Sequence, residues 1–223
     1  MLSGNRVVIT GAAGTLGQAA AGKAREYGAQ VIGLDIVADF ESTDLDSYHQ
    51  VDLTDRAATR ECISSLGPFD ALMNIAGGFA MGTDAAEPDD TQWDWMFKIN
   101  VDTARNTIMA AVPVLKSNGG GRIVNIGALG ALSGQAGMSA YCCAKGSVMK
   151  LTESLSEELK ADGINVNAVL PSIIDTAPNR EGMPDADFSD WVSPEQLAEV
   201  LCFLASTRAS AVHGALLPVK SLV

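Results

Sequence analysis

The sequence is short of positive charge. Lys and Arg total 15 against 27 Asp and Glu, and the net charge is −12. Nucleic acids and anionic membrane surfaces are bound through basic patches, so this balance argues against both as partners. A small anionic cofactor stays open, because a helix N-terminus seats phosphate without side-chain charge. Histidine is scarcer still. His49 and His213 stand isolated, and no metal site is expected. The four cysteines are Cys62, Cys142, Cys143 and Cys202. No pair has zinc-ligand spacing, and adjacent cysteines rarely bridge each other, so free thiols of a reducing cytosol are expected. Long apolar runs are also missing. None approaches the roughly 18 residues of a membrane span. The N-terminal "MLSGNRVVIT" has no charged region followed by an apolar signal core. A soluble, cytoplasmic chain is the expectation. What is present is 47% hydrophobic and 19% charged residues, the balance of a packed globular protein. At 223 residues the simplest organisation is one domain over 1–223, large enough to bury about 70% of its unfolded surface.

Strand-like runs alternate with helix-like segments. "RVVIT" (6–10), "QVIGLD" (30–35), a short strand within 48–55, "DALMNIAGG" (70–78), "GRIVNIGA" (121–128), "INVNAVLP" (164–171) and "ALLPV" (215–219) read as strands. Helices are expected behind the first glycine turn, over 56–67, over the long segment from Thr91 with Pro113 inside it, over 139–163, and over 193–206. In the last of these Ser193 serves as N-cap and Pro194 takes the first position. This rhythm predicts an α/β fold, a doubly wound parallel sheet of Rossmann type with helices on both faces. Two irregular segments, 79–90 and 172–192, are too long for plain connections and read as substrate loops at the carboxyl ends of strands.

Strand 6–10 runs into "TGAAGTLG", Thr10 to Gly17. Gly11, Gly14 and Gly17 allow a tight turn and a close approach of backbone to a pyrophosphate, with Thr15 and Leu16 opening the helix that faces it. The second strand ends in Asp35. A carboxylate there accepts hydrogen bonds from an adenosine ribose and repels a 2′-phosphate, which favours NAD(H) over NADP(H). Ile36 follows it, and Ala12 and Ala13 occupy the turn, so no basic side chain stands beside it. Asp52, with Leu53, either meets the adenine or serves as N-cap of the next helix.

Tyr141 and Lys145 stand at i and i+4, on one face of a helix. An ammonium beside the phenol is expected to lower the tyrosine pKa from about 10 and to make Tyr141 a usable acid or base.

The glycine turn, Asp35, Asp52, "NIAG" (74–77), Asn100, Tyr141 with Lys145, and "NAVLPSIIDT" (167–176) together resemble the short-chain dehydrogenase/reductase family over nearly the whole chain. That resemblance implies hydride transfer between a nicotinamide and a carbonyl, alcohol or imine. It implies that Asn74, Ala76 and Gly77 line the adenine–ribose side, and that Asn100 holds a water joining Lys145 to a proton relay. Lys145 would also bind the nicotinamide ribose, and Ile173, Ile174 and Thr176 would hold its carboxamide and phosphate. The family commonly assembles through the helices that match 91–117 and 139–162, so a homodimer or homotetramer is expected.

Three features depart from the family pattern. The middle glycine of the turn comes one residue early, at Gly14, with Thr15 in its usual place. "NNAG" is here "NIAG". The active-site serine, 13 residues before the tyrosine, is Ala128. Ser133, on the following loop, could supply a hydroxyl instead. The spacing of the glycine turn, "AGGF" (76–79), the alanine at 128 and "DTAPNREGMPDADFSDW" (175–191) are similar to the dihydropteridine reductase branch of the family. That similarity implies an electron-poor, imine-like small-molecule substrate such as a dihydropterin, which takes hydride without localising charge on oxygen. Phe79 would be a stacking platform, with Met81, Met138, Met183 and Trp191 as pocket walls. A general alcohol or ketone dehydrogenase, using Ser133 or water as donor, is the alternative. A dinucleotide-binding sensor without turnover is a third reading, and it leaves Tyr141 without a purpose.

Overall fold

The computed structural model describes residues 1–82, 84–86 and 90–221. Seven parallel strands form one sheet: β1 (Arg6–Thr10), β2 (Gln30–Asp35), β3 (Ser47–Gln50), β4 (Ala71–Asn74), β5 (Gly121–Ile126), β6 (Ile164–Pro171) and β7 (Leu216–Val219). Their order is β3-β2-β1-β4-β5-β6-β7. The chain therefore winds outward from β1 to β3, returns to pair β4 with β1, and winds the other way. The reversal between β1 and β4 is the point at which such sheets open a crevice beyond their carboxyl ends.

The two faces of the sheet follow from the two-residue period of each strand. Val7 and Ile9 of β1 join one apolar cluster, and Val8 joins the other. The first cluster is closed by α1 (Thr15–Glu26) and α7 (Pro194–Leu204), which pack on each other. The second is closed by α2 (Arg56–Ser65) and α4 (Thr103–Ser117), with α5 (Ser139–Leu159) laid along β5 and β6. Helix α7 begins as the sequence predicts. The Ser193 hydroxyl accepts from the Gln196 amide, the Gln196 side chain accepts from the Ser193 amide, and Pro194 follows the cap. Pro113 is accommodated within α4.

Two expectations are revised. The long helix from Thr91 is interrupted: α3 (Thr91–Phe97) passes through a π-helical segment, Lys98–Asp102, before α4 begins. Segment 172–192 is largely structured. It holds helix α6 (Ala177–Gly182) and a 3-10 turn at Phe188–Asp190, and its ends are joined by a parallel bridge between Ile174 and Val192. The other expected loop, 79–90, lies in part outside the described residues, at 83 and 87–89.

Candidate active site

At the sheet's switch point the glycine turn is held against the end of β4. Thr10 Oγ1 accepts from the amides of Ile75 and Ala76, both at 3.0 Å. Gly11 has φ +68°, and a Cβ there would stand 2.9 Å from the Ala76 amide nitrogen. A Cβ on Gly17 would collide with the Gly11 carbonyl oxygen. Gly14 is the N-cap of α1 and supplies no side-chain cap, so the first amides of α1 are left for another acceptor. Gly14 and Thr15 are exposed there, Leu16 is half-buried, and Gly17 is buried. A turn stripped of side chains around a helix N-terminus fits a pyrophosphate, so the residues present suit a dinucleotide.

Asp35, at the end of β2, is tied into the same turn. One oxygen accepts from the Ala13 amide at 2.9 Å, and the other accepts from Ile36 at 2.7 Å and Val37 at 3.2 Å. Asp52 is not the cap of α2. That place belongs to Asp55, which accepts from Ala57 and Ala58, while Asp52 accepts from the amide and hydroxyl of Thr54. Those two bonds hold the exposed Asp52 carboxyl below its usual range. The Leu53 side chain is in the core, so only its backbone could meet a ligand.

Asn74 is 4% exposed, and its amide donates to Asn125, which donates to Thr152. Sequence reasoning put Asn74 at a ligand surface and passed over Asn125 and Thr152. The structure gives Asn74 to a buried polar chain that braces β4, β5 and α5. Its Oδ1 has no hydrogen-bond partner among the described residues. Ala76 and Gly77 follow at the crevice.

The π-helical segment turns Asn100 inward, where it is 2% exposed. Its amide donates to the carbonyls of Met96 and Gly78, both at 3.0 Å, and its Oδ1 accepts from the Gly78 amide at 3.1 Å. A Cβ on Gly77 would lie 2.7 Å from Asn100 Oδ1 and 3.3 Å from Lys145 Nζ. Gly77 thus marks where the Asn100 and Lys145 side chains converge, and only glycine leaves room for both.

Lys145 is buried and donates to the Ile126 carbonyl at 3.0 Å. Burial pushes its pKa down to about 8. Tyr141, one turn earlier on α5, is pushed up to about 12, chiefly by burial and then by the Cys142 thiol beside it. This reverses the expected direction. The i,i+4 spacing puts both side chains on one face, but desolvation of the phenol outweighs any benefit from a cation whose nearest partner is a backbone carbonyl. Part of the cover is Phe79, whose ring meets that of Tyr141 edge-on, with centroids 4.9 Å apart and planes at 86°. Phe79 is itself 49% exposed, so it stands at the mouth and touches Tyr141 directly.

Ala128 follows β5 and is 4% exposed. Ser133 is exposed on the loop beyond it. Met81 and Met183 are exposed, as is Ile173, whereas Met138, Ile174 and Thr176 are half-buried. Thr176 caps α6, accepting from the Asn179 amide. Trp191 is not an open wall. It is 8% exposed and packs on Phe188. Among the described residues no group of His, Cys, Asp and Glu is arranged to hold a metal ion, and no helix is long and apolar enough to cross a membrane.

The short chain dehydrogenase family model matches residues 5–186. The chain is 32% identical to meso-2,3-butanediol dehydrogenase of Serratia marcescens, over 96% of this chain and 92% of that one. Among solved structures it is similar to carveol dehydrogenase of Mycobacterium avium in complex with NAD, with TM-score 0.86 and 28% identity over 98% of this chain and 96% of that one. A dehydrogenase structure from Agrobacterium tumefaciens with bound NADP has TM-score 0.87 and 32% identity, over 98% and 95% of the two chains. The family model spans most of the chain, and the fold accords with the solved structures: the chain belongs to the short-chain dehydrogenase/reductase family of oxidoreductases.

Proposed function

We propose that the protein is an NADH-preferring reductase of a conjugated imine or carbonyl compound, with Tyr141 as proton donor. The observation that carries this reading is the pairing of a buried methyl at Ala128 with a phenol whose pKa burial raises to about 12. A phenol in that state keeps its proton at neutral pH and so holds one to give. A pKa this high also makes it a weaker acid than free tyrosine, and the transfer needs the phenolate to be stabilised in the bound complex. The buried methyl offers no hydrogen bond to a developing oxyanion, a loss of about 10²–10³ in rate for a substrate that builds one. A substrate whose charge is spread over a conjugated ring does not incur that loss. The resemblance of the 175–191 segment to dihydropteridine reductases makes a quinonoid dihydropterin the first compound to try.

The glycine turn, Asp35, Asp52, Ala76 and Gly77 would hold the dinucleotide's adenosine and pyrophosphate, with Lys145, Ile173, Ile174 and Thr176 at its nicotinamide end. When bound, the cofactor supplies the hydride. The chain's own residues supply the rest. Tyr141 provides the proton, and Lys145, mostly protonated at neutral pH with a pKa of about 8, stands one turn away. Asn100 bonds the Gly78 backbone and so fixes the floor beside Lys145. Preference for NADH is supported by Asp35 and by the absence of Lys and Arg from residues 36–46.

A general alcohol or ketone dehydrogenase is the second reading, favoured by the similar proteins that carry alcohol dehydrogenase names. Ser133 or water would then supply the missing donor. We also propose a homodimer or homotetramer through α3–α4 and α5, supported by Trp93, Trp95 and Met109, which are exposed on that stretch. The experiment that separates the two substrate readings is a panel of NADH and NADPH oxidation rates with a quinonoid dihydropterin, α-diketones and simple ketones, and of NAD⁺ reduction with the corresponding alcohols. Turnover confined to alcohols and simple ketones would favour the second reading. Tight NADH binding without turnover of anything would favour a sensor.

A further inference from the structure

Segment 172–192 is braced by side chains that neither the glycine turn nor the Tyr141 cluster uses. The Arg180 guanidinium forms two parallel hydrogen bonds to Asp175, Nε to Oδ1 at 2.5 Å and Nη2 to Oδ2 at 2.7 Å. The same guanidinium lies 4.8 Å from the centre of the Phe188 ring. Phe188 in turn packs on the buried Trp191, with ring centroids 4.8 Å apart. Arg180 therefore bonds to the ascending limb of the segment and stacks on the descending limb. At the base the limbs are joined by backbone. The Asp175 amide donates to Val192 at 2.8 Å, and the Val192 amide donates to Ile173 at 3.0 Å. Asn179 closes the turn between them by donating to the Ile174 carbonyl at 2.8 Å.

The place of this unit gives it a purpose. β5 and β6 pair with Ile126 opposite Val169, so the chain leaves β6 beside the exit of β5, where Ala128 stands. The segment leaves the sheet at the carboxyl end of β6, the end at which such sheets open their crevice. Its brace fixes Ile173, Ile174 and Thr176 and carries Met183 at its tip.

We propose that Arg180 is a positioning residue, a latch that holds 173–192 as a cap formed before any ligand arrives. Removing it frees the two limbs above a base that stays paired. An exposed ion pair and an exposed cation–π contact are each modest, but here one planar group makes both, and a lysine could not reproduce the fork. The inference rests on the reading that the carboxyl end of the sheet binds a dinucleotide. The latch itself is tested without one.

Amide hydrogen exchange of the ligand-free protein is measured for wild type, Arg180→Met, Asp175→Asn, the double variant and Arg180→Lys, alongside fluorescence titration with NADH. Exchange over 176–190 is expected to rise on the order of tenfold in Arg180→Met, the combined worth of the two contacts, and by less in Asp175→Asn, which keeps the stack on Phe188. Exchange in β1, β4 and β5 should stay unchanged. The double variant should exchange no faster than Arg180→Met, and Arg180→Lys should fall between wild type and Met. NADH affinity should weaken in the same order. Unchanged exchange in Arg180→Met, or additive effects in the double variant, would overturn the latch. Faster exchange with unchanged NADH affinity would overturn its positioning role. If wild type binds no dinucleotide, the cofactor reading fails, while the exchange comparison still decides the latch.

Discussion

Replacing Ala128 by serine restores the hydroxyl that the family pattern has at this place, and the structure shows what the change should do. The backbone at Ala128 is extended, φ −155° and ψ 138°, a conformation that any residue adopts without strain. Ala128 is also the N-cap of the short 3-10 turn Leu129–Leu132, and its carbonyl accepts from the Ala131 amide at 3.1 Å. A serine oxygen there can accept a hydrogen bond from the first amides of the turn. Capping of that kind contributes about 1 kcal/mol and offsets much of the roughly 1–3 kcal/mol for burying a hydroxyl. Stability should therefore fall by no more than about 2 kcal/mol. With the oxygen so engaged, the hydroxyl proton is free to point toward a substrate. For a simple ketone, whose reduction builds charge on oxygen, a new donor is worth about 10²–10³ in kcat/KM, or about 2.7–4 kcal/mol. For a conjugated imine that disperses its charge, the gain should be within about threefold, roughly 0.7 kcal/mol. The assay is NADH oxidation by wild type and Ala128→Ser on both substrate types, with thermal unfolding as a control on folding. A ketone gain matched by an equal imine gain, or no gain on either, would refute the reasoning and turn attention to Ser133.

Gly11→Ala should lose about 1–3 kcal/mol from its left-handed backbone and its clash with Ala76, and should abolish NADH binding by fluorescence titration; undiminished binding would deny the turn its role. Asp35→Ala should raise the NADPH-to-NADH ratio of kcat/KM at least about fivefold, from roughly 1 kcal/mol or more of lost repulsion at about 4 Å, and an unchanged ratio would remove Asp35 from the ribose site. Lys145 has a pKa of about 8 in the fold and 10.5 as the ordinary value, so between those limits the unfolded chain binds more protons and stability rises with pH. Urea unfolding should show wild type gaining about 1.5 kcal/mol on Lys145→Met between about pH 8 and 9.5, below the range where Tyr141 adds its opposite slope. Parallel stabilities of the two proteins over that range would contradict the buried ammonium.

Much of the fold was legible because its signals are local. The strand over 164–171 and the N-cap at Ser193 follow from neighbouring residues alone, and the structure has both. The glycine turn was legible for the same reason, since the need for glycine at Gly11 and Gly17 is written into their spacing. What escaped were effects that depend on distant partners. The helix in 172–192 is hidden by the segment's two prolines, its glycine and its charges, and it is sustained by Arg180 reaching Asp175 and Phe188. Asp52 and Asp55 are equally good caps in sequence, and only the register of α2 chooses Asp55. The i,i+4 spacing of Tyr141 and Lys145 gave their shared face correctly. It could not show that Lys145 would bond the Ile126 carbonyl or that Phe79, 62 residues away, would cover the phenol.

The account turns on Tyr141 as the group that hands over the proton. Tyr141→Phe removes one oxygen and leaves the ring against Phe79, so folding should be preserved while the donor is lost. The decisive measurement is kcat/KM for NADH oxidation by Tyr141→Phe with the best substrate of the panel. A fall of about 10²–10⁴, or roughly 3–5 kcal/mol, is the predicted result. A variant that keeps most of the wild-type rate, with its thermal stability intact, would contradict the account.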